Sequence, residues 1–351
     1  MKLAIITSRA TSLKEVARSI AHAARKHNFT PIILEYAPSP IDLKNLAKLA
    51  IIVMTMNPLL SRSWFMAARE YNASNIPTWV YTTTEGRLPK RYVSLWMKRD
   101  LTFIANSNYT KEKLEEAGLA VADVVPHGIV MSEAEQAIQF KQQARKYLES
   151  RLGAGTIFVT VASAHKRKGH DLYASVIGMV VNECEDCKFY ILTQPEAASF
   201  YDGLRNTYVD TRFGQLSRLE VLSLLAAAEW YVQPSLAEGY GLPIAEAQAV
   251  GTPCIHLQYP PLTEHSHPEN IMVPFIDIVY DPMGEGIEYE LHLYKPDDFA
   301  KAILKAHDIS VNQKDRYNEL SRKVREHAKN FDAEKVYAKF FQDIVVVEEI
   351  A

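Results

Sequence analysis

QPSLAEGYGLPIAEAQAVGTP, residues 233–253, is the stretch from which the rest of this 351-residue chain is read. The apolar run Trp230, Tyr231, Val232 leading into it predicts the end of a buried strand, Gly239 and Gly241 break regular structure, and Pro243 suits a first helical position. Strand, glycine turn and helix follow one another. The first backbone N–H groups of such a helix lack internal partners and carry the positive end of its dipole, so a phosphate or sugar oxygen can settle on them. Glu238 precedes the turn, and Glu246, with seven residues between the two, falls in the second helical turn. A carboxylate there can accept hydrogen bonds from a vicinal diol such as a ribose.

Taken alone, two acidic residues at a strand-helix corner describe an exposed carboxylate and a partner for the helix dipole. The full order, PS, then EGYGLP, then a second Glu, then GTP, resembles the signature of the family-4 retaining glycosyltransferases, the group 1 enzymes of GT-B fold. That resemblance implies that Glu238 and the backbone amides of Tyr240, Gly241 and Leu242 hold a donor sugar and its diphosphate. It gives Glu246 the nucleotide ribose.

The length exceeds one ordinary core and predicts two domains of about 150 residues each. At 48% hydrophobic residues, with no apolar run of about eighteen and no signal-peptide pattern in MKLAIITSRATS, the chain is expected to be soluble and cytoplasmic. Residues 1–130 carry 17 Lys and Arg against 10 Asp and Glu, and the remainder 22 against 32. A basic front half suits an anionic partner such as anionic lipid, a lipid-linked phosphate or a polyanionic glycan. Cys184 and Cys187 form one CxxC with no second pair, which reads as surface thiols at a helix end rather than zinc; a disulfide is the other reading.

Short β-rich runs at 2–7, 31–34, 50–54 and 78–81 alternate with helical stretches, which means a parallel sheet covered on both faces, with ligands beyond the carboxyl ends of its strands. SRATS, 8–12, stands where the resembling enzymes carry a glycine-rich loop; its side chains can take an anion, or Thr11 or Ser12 can cap the next helix. TTTEG, 82–86, lies at a strand end near which the family commonly places a His, and here the candidates are Thr84 and Glu85. Glu85 there can orient an acceptor hydroxyl or take its proton, or be a loop-surface carboxylate. The stretch RLPKRYVSLWMKRDL, 87–101, interleaves cations with Tyr92, Leu95 and Trp96, as peripheral contact with an anionic membrane or a solvated helix with a buried Trp would require. VVPHGI, 124–129, matches the family's loop before the interdomain crossing, which implies that His127 and Gly128 line the cleft near the donor.

Residues 132–151 read as one charged helix leading into the second domain, and 156–162 as a strand followed by SAHKRKGHD. The family places an Arg five residues before the Lys of a Lys-Gly pair, both cations neutralising the diphosphate. Lys168 and Gly169 keep the pair, Ser163 occupies the Arg position, and Arg167, Lys166 or His165 are left to supply the second charge. A strand follows at 189–193, another segment ends at 212–216, and Ser217 with Glu220 has capping-box spacing. His256, His265 and His267 with Glu264 and Glu269 read as a variable polar loop rather than a metal cluster.

The expected fold class is α/β, of GT-B type, with two Rossmann-like doubly wound domains facing each other across a cleft. The expected divisions are 1–130 for an acceptor domain, 131–152 for the connection and 153–330 for a nucleotide-sugar domain. A C-terminal helix, 331–351, is expected to cross back to the first domain. The expected function is retaining, metal-independent transfer of a hexose from a UDP- or GDP-type donor to a hydroxyl on a lipid, glycan or protein. Glu238, Lys168 and Glu85 are the catalytic candidates. No metal, cofactor or nucleic acid is implied. The rival readings are a nucleotide-sugar-binding protein with degraded catalysis, an epimerase and a phosphorylase.

Overall fold

A computed structural model of the chain describes residues 1–341. Its contacts divide it into two compact units. The first comprises Met1–Val130, Tyr280–Glu290 and, of the described residues, 330–341; the second comprises Met131–Val279 and Leu291–Lys329.

The first unit is built on β1 (Lys2–Thr7), β2 (Thr30–Leu34), β3 (Leu49–Thr55), β4 (Thr78–Thr83), the two-residue β5 (Gly86–Arg87), β6 (Thr102–Ala105) and β7 (Val121–Val124). Six of these form one sheet in the order β2-β1-β3-β4-β6-β7, every pair parallel. Because parallel strands need crossover helices on both faces, β3 reads LAIIVMT and is buried along almost its whole length. The helix Thr11–Lys26 lays Leu13, Val16, Ala17, Ile20 and Ala24 onto the core. Its N-cap is Ala10, not Thr11 or Ser12, and the only side-chain help is Ser8 Oγ accepting from the Ala10 N–H at 3.3 Å.

The second unit repeats the plan with β8 (Thr156–Val161), β9 (Cys187–Leu192), β10 (Thr207–Asp210), β11 (Trp230–Gln233), β12 (Cys254–Leu257) and β13 (Ile271–Val273), in the order β10-β9-β8-β11-β12-β13. Every pair is parallel. The chain steps outward from β8 to β10, then returns to lay β11 on the other side of β8. The loops after β8 and β11 therefore diverge from a topological switch point, the place where open α/β sheets leave a crevice for ligands. The single helix expected at 132–151 is two, Met131–Gln139 and Lys141–Leu152, broken at Phe140. The strand expected to end near 212–216 is β10, several residues earlier.

Residues 280–290, which sequence reading leaves inside the second domain, belong to the first unit. They are the tip of the hairpin β14 (Asp277–Asp281) and β15 (Glu288–Leu293), whose β15 pairs antiparallel with β5 through Glu288 with Arg87 and Tyr289 with Gly86. A Cβ on Gly86 would lie 2.0 Å from the Glu288 carbonyl oxygen, so only glycine permits this pairing. Lys113 Nζ, 3.0 Å from Glu290 Oε2 with both side chains buried, fixes the tip to the helix Asn108–Glu116.

The chain from Asn330 also packs in the first unit. Asp332 bridges to Ile129, and the helix Ala333–Val336 lies against Gly128. A turn at Tyr337 interrupts the expected final helix before residues 338–341, and 342–351 lie outside the described residues. No helix among the described residues is long and apolar enough to cross a membrane.

Candidate active site

The strand β11, WYVQ, is fully buried, and burial continues without interruption through Tyr240. A loop carrying Glu238 is thus held inside the protein instead of projecting from it. Gly241 ends the loop at φ +83° as the N-cap of the helix Leu242–Ala249, with Pro243 in its first turn. A Cβ at Gly241 would come within 2.4 Å of Leu262 and 3.0 Å of Gln233, so both the left-handed backbone and the space demand glycine.

The loop after β8 meets this one. A short 3₁₀ turn, Lys166–Lys168, closes on Gly169 at φ +67°, which starts the helix His170–Glu183. The Leu236 N–H donates to the Arg167 carbonyl at 2.8 Å, joining the two loops through their backbones. Lys168 Nζ then reaches Glu238 Oε1 at 2.5 Å, and Arg167 Nη1 donates to Glu238 Oε2 at 3.1 Å and to the Ala237 carbonyl at 2.9 Å. Burial opposes ionisation of Glu238, but the charges of Lys168 and Arg167 overcome it and hold the carboxyl at about 2.

Arg167 thus stands beside Lys168 and supplies a second cation. Ser163 contributes its backbone, its carbonyl accepting from His170 Nε2 at 2.8 Å while the Tyr201 hydroxyl donates to Nδ1 at 2.7 Å. His170 is buried, and burial lowers its pKa, which keeps the ring neutral for this relay. In the sequence only its place directly after the Lys-Gly pair marks it.

Glu246 faces inward from the helix Leu242–Ala249, and the Arg218 guanidinium donates to its carboxylate. Arg218 opens the helix Arg218–Ala227, whose Ser217 and Glu220 form the expected capping box. Only that capping signal marked the position; nothing local announced that the next residue would meet Glu246. Tyr240 stacks on His265 with ring centroids 4.2 Å apart, and His265 places its nitrogens 3.0 Å from the Pro261 carbonyl and 3.3 Å from that of Gly241.

His256 stands in β12 itself, not in the polar loop expected here, whose Glu264 and Glu269 are exposed. His256 and His265 are buried, and burial lowers both to about 4. Ser266 Oγ pairs with His256 at 2.7 Å and accepts from Asn270, which also donates to Gln248 of the signature helix. These residues brace the loop.

Four other candidates lie in the first unit. Glu85 is buried, not a loop-surface carboxylate, with its carbonyl accepting from the Glu290 N–H at 3.1 Å. Neighbouring Thr84 donates its hydroxyl to the Gly86 carbonyl. His127 is buried, 2.8 Å from the Tyr81 hydroxyl at Nδ1 and 3.2 Å from Asn106 at Nε2. Because Tyr81 already donates to the Val125 carbonyl, the ring donates from Nδ1 and accepts at Nε2. Gly128 is close-packed: a Cβ would sit 2.5 Å from the Ala333 Cα, and its N–H donates to the Tyr337 hydroxyl. In the 87–101 stretch, Leu95 is exposed, Trp96 half-buried under Arg69, and Arg87 lies 3.5 Å over the Tyr280 ring.

Among the described residues, buried polar atoms without a hydrogen-bond partner concentrate at strand ends. Thr7 Oγ1 and Thr83 Oγ1 close β1 and β4, Gln233 Nε2 closes β11, and Thr193 Oγ1 follows β9. An unsatisfied buried polar atom costs about 1–3 kcal/mol, so the place of these four at the carboxyl ends of strands in both sheets is informative.

Residues 155–280 match the profile of the family described as Glycosyl transferases group 1. That match covers most of the second unit, including both loops that meet at Glu238. The whole chain is similar to an uncharacterized glycosyltransferase of Sulfolobus islandicus rod-shaped virus 1, at 26% identity over 97% of this chain and 100% of the relative. Among solved structures it is similar to Anabaena HepE in complex with UDP and glucose, with a TM-score of 0.67, 10% identity and coverage of 99% and 100% of the two chains. It is also similar to a UDP-forming trehalose-phosphate synthase from Burkholderia xenovorans, with a TM-score of 0.70, 10% identity and coverage of 97% and 98%. The fold of the chain is therefore GT-B, built from two Rossmann-like units.

Proposed function

We propose that this protein is a glycosyltransferase that moves a hexose, with retention of anomeric configuration, from a nucleoside diphosphate sugar to an acceptor hydroxyl. The observation that carries the reading is the convergence of Lys168 and Arg167 on Glu238 at the switch point of the second unit. Two cations on neighbouring residues match a diphosphate, and the N-terminus of the helix Leu242–Ala249 adds partial positive charge. Glu238 pairs with both cations; in the proposed donor complex the diphosphate takes them over and the carboxylate turns to the sugar. Arg167 takes the part that the resembling enzymes give to an Arg at the Ser163 position.

In the proposed reaction the bond from the anomeric carbon to the phosphate oxygen breaks, and the acceptor oxygen bonds to that carbon on the same face. The acceptor proton passes to the departing phosphate. Glu238 steadies the positive charge that develops on the sugar, and Lys168 and Arg167 steady the negative charge on the leaving group. Glu246 accepts from the ribose diol once Arg218 yields it. The unpartnered Gln233 and Thr193 atoms at the same edge are available to polar donor groups. Glu85 is proposed to orient the acceptor, whose hydroxyl belongs to a lipid, glycan or protein. The exposed Leu95 among cations is proposed to favour an anionic membrane surface.

UDP sugars are the first donors to try, with GDP sugars as the comparison. Retention requires an α-linked donor to give an α-linked product by NMR, at a rate indifferent to added magnesium or manganese. An inverted product would overturn the proposed mechanism. The rival, a nucleotide-sugar-binding protein without chemistry, rests on Ser163 in place of Arg; tight UDP-sugar binding with neither transfer nor hydrolysis would establish it.

A further inference from the structure

The sequence around Cys184 and Cys187 predicts surface thiols at the end of a helix. Both are buried, Cys184 at 9% exposure and Cys187 at 0%. Cys184 caps the C-terminus of the helix His170–Glu183, and Cys187 is the first residue of β9. His307 reaches them from the helix Pro296–Asn312, more than a hundred residues further along the chain. One ligand atom from each of the three lies within 4.8 Å of the others, the only such grouping of His, Cys, Asp and Glu side chains among the described residues.

We propose that Cys184, Cys187 and His307 form a binding site for a thiophilic metal ion, of which zinc(II) is the type. Zinc holds thiolate sulfur at about 2.3 Å and imidazole nitrogen at about 2.0 Å, which sets tetrahedral ligand atoms roughly 3.5–3.8 Å apart. The present spread of up to 4.8 Å calls for a contraction of about 1 Å, and Cys184 stands where a helix gives way to the Glu185–Asp186 turn. On binding, the two thiols lose their protons to solvent as two metal–sulfur bonds form, and the His307 lone pair makes the third bond. His307 is only half-buried, so a solvent molecule can complete the coordination from its side.

The site's place in the sheet separates it from the donor site. Cys187 pairs with Thr156, the first residue of β8, and Thr156 Oγ1 lies 2.8 Å from His307 Nδ1. The ligands therefore gather at the amino ends of β8 and β9. The loop bearing Lys168 leaves the opposite end of β8, about 20 Å away at roughly 3.3 Å per residue. The ion is a clamp joining a helix end, a strand start and the helix Pro296–Asn312, with no part in sugar transfer.

The test is titration of the full-length, reduced and chelator-treated protein with cobalt(II), then zinc(II). Expected are one equivalent bound, a thiolate-to-cobalt charge-transfer band, displacement of cobalt by zinc, and a rise of several degrees in the melting temperature with zinc. His307→Gln and Cys184→Ser should each weaken binding at least tenfold while the apo variants stay folded. Should either fail to fold, the wild-type cobalt spectrum still decides, because its charge-transfer band reports sulfur ligation directly. Absence of that band at saturating cobalt overturns the proposal. So does a native protein whose mass shows two hydrogens lost from the peptide holding Cys184 and Cys187, since that pair would then be a disulfide.

Discussion

Lys168 and Glu238 lie 2.5 Å apart at ammonium and carboxylate, on loops leaving two adjacent strands, and both side chains are largely shielded from water. Neither charge is stable there without the other or a substitute. In the proposed reaction the donor diphosphate is that substitute for Glu238.

Removing the lysine exposes that dependence. For Lys168→Ala we expect kcat/KM with a UDP sugar to fall by about 100-fold or more, as when a developing anion loses a preorganised partner. Arg167→Ala should fall by a comparable factor. A change below threefold in both would leave the diphosphate without its proposed cations.

Glu238→Gln should separate binding from chemistry. The amide can no longer neutralise Lys168 and Arg167, so UDP should bind at least as tightly as to the wild type by calorimetry. Transfer should nevertheless drop by about 100-fold or more, because the developing positive charge on the sugar loses its counter-charge. Unchanged turnover would remove Glu238 from the reaction.

The ribose assignment can be checked with a double-mutant cycle. Losing hydrogen bonds to a charged carboxylate costs about 1.5–3 kcal/mol each, so Glu246→Ala should weaken UDP binding by roughly tenfold or more. Deoxy-UDP lacking the 2′-hydroxyl should lose affinity for the wild type and little further for the variant. Equal losses in both would mean that Glu246 does not touch the diol.

Acid should weaken the fold in two stages. His256 and His265, held at about 4 against an ordinary value near 6.5, bind fewer protons folded than unfolded between those pH values. Stability is therefore full above about pH 6.5 and falls toward pH 4, by on the order of 3 kcal/mol for each histidine. Glu238, held at about 2, contributes stability that is present above about pH 4.3 and fades as the pH drops through 2. Thermal melting across this range should show both slopes, and His265→Gln should flatten the upper one. A melting temperature constant from pH 7 to 4 would contradict the burial of these rings.

Much of this was legible in the residues because it is local. Alternating apolar runs and helical periods announce parallel sheets, and a strand followed by two glycines and a proline announces a helix start. What escaped depends on partners far away in sequence. Arg218 sits 28 positions from Glu246, and nothing in either neighbourhood links them. The thiols at Cys184 and Cys187 looked solvated because Glu183, Glu185, Asp186 and Lys188 surround them; the helix Pro296–Asn312 decides otherwise. The hairpin of β14 and β15 alternates too weakly to read as strands, and its tip is claimed by Gly86 and Lys113, which no periodicity reveals.

The first unit draws on three separate stretches of chain, and Asp332 and Tyr337 seat against Ile129 and Gly128 to close it. On the ribosome, where synthesis runs from the N-terminus at about 5–20 residues per second, its sheet emerges first yet must wait for more than two hundred further residues before its last pieces arrive. The part translated earliest is thus the part finished last, and a nascent chain stalled before residue 330 should be trimmed by protease at its front while the middle resists.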